Sequence, residues 1–285
     1  MISLIISLLS SLSVGLFIKS LQINSIRNLF VLVLFNYFIA VILSLILLDI
    51  SISNIKMSAN SLIIVGLLGF LMPSIFFFLN KSLKTSGLAK TDIFQRLSLI
   101  IPVILSFKLF NETFTYTKLL VILLAFLSIA LLLYKKSTNN GKFNILYLLA
   151  VFFGYGIVDT LFKIIATTPG LNYIASLFLV FICCAIVSLF YILLTKGKIN
   201  YTYILYGAVL GVLNFMNIFF YMKAHKIFSD SPTLVFITMN LGVIIGGTLI
   251  GKYHFKENIS KNVIYGIFLA MVSIILLALI QLNIL

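Results

Sequence analysis

The chain has 285 residues, 62% of them hydrophobic and 9% charged, with a mean hydropathy of +1.24. Soluble domains carry about 25% charged residues, so a water-soluble globule is excluded and a lipid bilayer is the natural solvent. Twenty Lys and Arg against six Asp and Glu give a formal charge of +14. The lysines fall mostly in short breaks between apolar runs, which fits membrane-interfacial loops and not a nucleic-acid surface.

A transmembrane helix needs about 20 mostly apolar residues. Ten runs qualify in chain order: 2–18, 30–48, 60–79, 87–107, 117–134, 143–165, 173–194, 202–222, 232–251 and 262–283. The clearest loops are 48–60 and 134–142, and no break leaves room for a soluble domain. The first run has no basic n-region, so it reads as a helix and not as a signal peptide. An even number of spans puts both termini on one side.

Helix 2 carries a thin polar signal at Asn36–Tyr37. In helix 3, Pro73 is expected to kink or break the helix and free backbone carbonyls toward a cavity. Helix 4 places Thr91, Gln95, Ser98 and Pro102 on one face by their i, i+4, i+7, i+11 spacing. Arg96 is rotated about 100° from Gln95. An arginine in a span faces a cavity or a partner, so it binds a substrate anion or forms an ion pair, for instance with Asp159; an oligomer contact is a third reading. Helix 6 spaces Tyr155, Asp159 and Lys163 at i, i+4, i+8. Asp159 is the candidate for proton or ion coupling, together with Lys163; the other reading is a mutually neutralised pair. Lys163, near the helix end, is able to snorkel.

Cys183 and Cys184 are adjacent in helix 7 and read as small packing residues. Helix 8 aligns Asn214, Asn217 and Tyr221 on one stripe, which is too expensive to face lipid. Gly207/Gly211, Gly242/Gly246 and Gly247/Gly251 give small-xxx-small spacings in helices 8 and 9. His225 and His254 are expected in loops, and no cluster of metal-ligating residues appears, so neither a metal nor a cofactor is expected.

Shifting the chain by 145 residues lays the second half on the first. "LAFLSIALL" (124–132) meets "LAMVSIILL" (269–277), identical at six of nine positions. Phe110 and Glu112 meet Phe255 and Glu257, Lys81 meets Lys226, and Ser86 meets Ser231. Gln95 meets Asn240, which sets two amides near the midplane, one from each half; they bind a polar substrate or act as interhelical glue. The predicted fold is an all-α polytopic membrane protein of ten transmembrane helices in two five-helix repeats, 1–134 and 143–283. An odd number of spans per half inverts one repeat against the other, and inverted repeats mark transporters with a midplane site between the repeats.

The blocks 81–133 and 223–279 resemble the EamA-type members of the drug/metabolite transporter superfamily. Each block ends its fourth helix just before a lone glutamate, Glu112 or Glu257, and Pro102 precedes the first by ten residues; Gly247 stands where a second proline would fall. The resemblance covers nearly the whole chain. It implies alternating-access transport of small metabolites, often outward, across a bacterial cytoplasmic membrane.

The expected function is a secondary active exporter or exchanger of small polar metabolites such as amino acids, working as a monomer or homodimer. Alternatives are a nucleotide-sugar or sugar-phosphate exchanger, or multidrug efflux. Candidate substrate-binding residues are Gln95, Arg96, Asn240, Asn214, Asn217, Tyr155 and Asn36. Glu112 and Glu257 are expected to accept backbone hydrogen bonds at the start of the helix that follows each, a structural role shared with Pro102 and Pro73. An enzyme is disfavoured because no histidine falls in a predicted span and Asp159 has no acidic or metal-binding partner. A non-transporting scaffold is disfavoured by the lack of a soluble domain. No GxxxxGK[ST] loop appears for ATP coupling. Thirteen Lys and Arg fall in odd-numbered loops and five in even ones. That charge bias puts the termini outside, whereas the resemblance puts them inside.

Overall fold

A computed structural model of the chain describes residues 2–21, 23, 25–48, 59–110, 112–132, 144–168, 172–253 and 260–281. Glu257, His254 and the loop 134–142 lie outside the described residues. The described residues form helices without a strand: α1 (Ile2–Ser20), α2 (Ile26–Leu47), α3 (Ala59–Leu97), α4 (Ile100–Leu109), α5 (Tyr116–Leu132), α6 (Ile145–Thr167), α7 (Tyr173–Leu194), α8 (Thr202–Ile227), α9 (Pro232–Tyr253) and α10 (Lys261–Gln281). Seven of the described helical stretches are long and apolar enough to cross a membrane: α2, α3 up to Gly87, α6, α7, α8, α9 up to Ile250 and α10 up to Ile280. Large apolar side chains such as Ile46, Ile63, Phe70, Leu120, Ile186 and Leu193 lie exposed on these helices and on α5. Lys118, Lys163 and Asn36 are buried. That inversion suits a lipid solvent, and the chain is an all-helical polytopic membrane protein.

Three local features differ from the sequence reading. α3 keeps helical backbone through Pro73 and breaks instead at Gly87, whose φ of 80° and ψ of 167° suit a residue without Cβ. Proline removes the N–H that would donate to Gly69 O, a loss that membrane helices tolerate; the following carbonyl, Phe70 O, accepts from Ser74 Oγ at 2.7 Å. Predicted helix 4 is also not one piece. It runs on from Gly87 to Leu97, turns at Ser98–Leu99, and resumes as α4. Pro102 explains the turn, because it cannot donate to the carbonyl of Ser98. That carbonyl accepts from Ile101 N at 3.0 Å instead, and Leu99 N donates to Arg96 O at 3.2 Å, so the ladder tightens to i→i−3. Third, α8 continues past residue 222 through "KAHKI", which holds good helix formers. His225 is therefore in a span and fully buried, not in a loop.

Contacts divide the chain into two compact units. Unit 1 is Met1–Asn80 with Leu161–Lys226; unit 2 is Lys81–Thr160 with Ile227–Leu285. Each unit takes segments from both sequence halves.

In unit 1 the side-chain contacts fix the sense of each helix. Ser7 meets Asn217 and Phe17 meets Tyr206, so α1 runs antiparallel to α8. Phe30 stacks on Tyr191 at 4.5 Å and Tyr37 on Phe181 at 6.3 Å, so α2 runs antiparallel to α7. Gly69 abuts Cys183 and Ser74 Oγ reaches Tyr191 Oη at 3.0 Å, so α3 runs parallel to α7. Gly207 sits against Leu32 and Phe35, and Gly211 against Asn36 and Ile39, so α2 runs parallel to α8. Cys184 is buried beside Leu68 and Met72, a packing role. Asn172 starts α7 as its N-cap, its Oδ1 accepting from Ile174 N at 3.1 Å.

In unit 2, α5 lies along α10, and α9 packs on α4, α5 and α10. Gly266 makes the α5–α10 contact close, since a Cβ there would lie 2.8 Å from Leu132 Cγ. Gly156 does the same for α6. Its missing Cβ would lie 2.6 Å from Ile101 Cδ1 and 2.9 Å from Ser98 O, so α6 seats directly on the Ser98 turn.

Candidate functional site

The proline-induced turn and Gly156 bring α6 against the last turns of α3 within unit 2. Arg96 and Asp92, four residues apart on α3, form an ion pair with Arg96 Nε 3.5 Å from Asp92 Oδ1. Tyr155, one residue before Gly156, feels the charges of Arg96, Asp159 and Asp92. Unit 2 thus gathers one guanidinium, two carboxylates and a phenol. Arg96 pairs with Asp92 of its own helix, where the sequence reading had offered Asp159 as its ion-pair partner.

The chemistry of this cluster follows from its groups. The Arg96 and Asp92 side chains are partly exposed, at 18% and 39%, so an incoming solute has access to them. The guanidinium has five donors in a planar fork, and one carboxylate partner leaves others for an incoming carboxylate.

Gln95 stands next to Arg96, partly buried, and its backbone carbonyl accepts from Ser98 Oγ at 2.6 Å. Asn240, which meets Gln95 under the 145-residue shift, also lies in unit 2. Its Nδ2 donates to Phe236 O one turn back at 3.2 Å, so part of its hydrogen-bonding capacity is used within α9. Among the described residues no hydrogen bond joins the two amides.

The other predicted polar residues belong to unit 1. Ser7 Oγ on α1 lies 2.9 Å from Asn217 O and 3.0 Å from Asn217 Oδ1 on α8. Asn214 is buried at 9% exposure, one turn from it. Lys163 is buried, and its ammonium donates to His225 O at 3.3 Å in the last turn of α8. A cation there is favoured by the helix dipole. The Tyr221 ring meets His225 edge-on, with centroids 4.6 Å apart. Among the described residues no three His, Cys, Asp or Glu side chains come together to hold a metal ion.

Asp92 and His225 were missed by the sequence reading. Asp92 had a visible signal, the i, i+4 spacing in "DIFQR". His225 had only the helix-forming run around it.

Glu112 is a structural residue of unit 2. It is buried, and its Oε2 accepts from Thr233 N at 3.2 Å and from Thr233 Oγ1 at 2.6 Å; Lys118 Nζ lies 3.4 Å from its Oε1. It serves the start of α9, not that of α5, the helix that follows it.

No family model matches the chain. An uncharacterized protein of Haemophilus influenzae is 38% identical over 283 residues, covering 95% of this chain and 96% of its own length. The chain belongs to the same family as that protein. A solved crystal structure is similar with a TM-score of 0.76 at 15% identity, covering 99% of this chain and 97% of its own; the fold is what the two share.

Proposed function

We propose that the protein is a secondary transporter of the EamA type that moves small zwitterionic metabolites, amino acids foremost, by alternating access across a bacterial cytoplasmic membrane. The carrying observation is the unit 2 cluster of Asp92, Arg96, Tyr155 and Asp159. Arg96 takes the substrate carboxylate, and Asp159 takes its ammonium or a coupled proton. Tyr155 and Gln95 supply neutral hydrogen bonds, and Asn240 lines the same unit.

The reading includes ten spans in two inverted five-helix repeats, with both termini on one side. Support comes from the duplicated sequence blocks and from helix sense in unit 1. α7 runs opposite to its repeat counterpart α2, and α8 runs opposite to α3. The unit boundaries at Asn80/Lys81 and Lys226/Ile227 lie 146 residues apart, close to the 145-residue sequence shift.

A nucleotide-sugar or sugar-phosphate exchanger is the alternative; the carboxylates of Asp92 and Asp159 near Tyr155 suit an ammonium group better than a phosphate dianion. Ligand-dependent stability separates the two. Specific ligands raise the apparent melting temperature, so the purified protein is expected to gain stability with an amino acid and none with a sugar phosphate. Stabilisation by sugar phosphates alone would reverse the assignment.

A further inference from the structure

The contact between α2 and α8 in unit 1 has no side chain between the backbones at two levels. A Cβ at Gly207 would lie 2.6 Å from Leu32 O, and a Cβ at Gly211 would lie 2.6 Å from Asn36 O. Such glycine contacts let helices approach closely without locking side chains together. Asn36 stands on this face of α2, four residues after Leu32 and three before Ile39. It is 0% exposed, and neither its Oδ1 nor its Nδ2 has a hydrogen-bond partner among the described residues.

Buried amides are nearly always hydrogen-bonded, and leaving both atoms unpaired is unfavourable. The flanking buried residues Leu32, Val33 and Ala40 are apolar, so packing alone would be better served by a leucine at position 36. The amide is also fully enclosed, so in this conformation it cannot reach a water. Its partner must arrive in another conformation.

We propose that the α2–α8 seam at Gly207 and Gly211 opens, and that opening delivers an uncharged donor-and-acceptor group, a hydroxyl or a carboxamide, to the Asn36 amide. An amide offers one acceptor and one donor group and pairs best with a group offering both. α2 carries no charge beyond Arg27 in its first turn, so an ion arriving at Asn36 would lack compensation. The group comes from water or from a polar metabolite. The inference stands on unit 1 alone and is independent of the cluster in unit 2.

The test compares the full-length wild type with Asn36→Leu in detergent, by thermal unfolding and by hydrogen-exchange mass spectrometry of α2 and α8. Asn36→Val gives the same test without added bulk. Removing the unpaired amide favours the closed seam, so a variant is expected to melt a few degrees higher and to exchange several-fold more slowly around residues 30–40 and 205–215. Glycerol and L-glutamine, as hydroxyl and carboxamide probes, distinguish the sources. A probe that alters exchange in the wild type but not in the variants identifies a metabolite; slower exchange in the variants with no probe effect identifies water. Variants that melt at or below the wild-type temperature, or exchange at the wild-type rate, overturn the proposal.

Discussion

Glu112 holds the first turn of a helix that begins far away in the chain. Its Oε2 accepts both the backbone N–H and the hydroxyl of Thr233, the second residue of α9, across a separation of 121 residues. A carboxylate at a helix N-terminus satisfies an orphan donor and opposes the positive end of the helix dipole. Lys118 completes the arrangement, donating to Thr113 O at 3.0 Å and pairing with Glu112. Removing the carboxylate leaves a buried ammonium without its counter-charge. Glu112→Ala is therefore expected to cost about 3–5 kcal/mol. Glu112→Gln, which keeps an acceptor for Thr233, is expected to cost less. Thermal unfolding in detergent measures both. Ligand binding by the Gln variant is expected to persist, because this carboxylate acts on α9 and not on a solute. A folded Glu112→Gln protein that no longer binds ligand would contradict this role.

The glycines of α8 and α9 should respond differently to an added methyl. At Gly211 a Cβ would meet the backbone oxygen of Asn36 at 2.6 Å, which moves only if the helix moves. Gly211→Ala is expected to destabilise by about 1–3 kcal/mol. At Gly247 no described atom lies within 4 Å of the added Cβ. Gly247→Ala is expected to be neutral or to stabilise by up to about 1 kcal/mol through helix propensity. Paired melting curves check the contrast, and equal losses at both sites would deny the close α2–α8 contact.

Pro102 acts at a distance of four residues by denying Ser98 its usual donor. Pro102→Ala restores that N–H and favours a continuous helix through Ser98 and Leu99. The expected variant is at least as stable as the wild type, yet weaker in ligand binding, because straightening the turn moves Arg96 relative to Tyr155. Isothermal titration with the stabilising ligand, alongside a melting curve, measures the two effects separately. Unchanged affinity would show that the turn does not position the cluster.

Much of the helical frame was legible because apolar runs of membrane length leave few alternatives, and boundaries at α6, α7, α9 and α10 fall within about two residues of expectation at most ends. What escaped was set by single backbone groups or by distant partners. The break after Ser86 depends on one residue with positive φ. The turn at Ser98 follows from Pro102, whose consequence for Ser98 O was there to be read from the i→i−4 rule. The end of α8 was placed too early because "KAHKI" is polar in composition but helical in propensity, and that hid the buried His225. The partner of Glu112 was not readable at all, since no local pattern points from residue 112 to residue 233. In the candidate site, Arg96, Tyr155 and Asp159 stand out as ionisable or polar groups in apolar runs, while Asp92 shows in the sequence only through its i, i+4 spacing to Arg96.

The central claim is that Arg96 binds the carboxylate of a transported zwitterion. Its most direct test is counterflow of a labelled amino acid, chosen by thermal stabilisation, into liposomes holding wild type, Arg96→Gln or Arg96→Lys. The account predicts saturable uptake by the wild type. It predicts a loss of at least tenfold for Arg96→Gln, equivalent to about 1.4 kcal/mol or more, and a partial loss for Arg96→Lys, which keeps the charge without the planar fork. Wild-type uptake rates in a stably folded Arg96→Gln protein would contradict it.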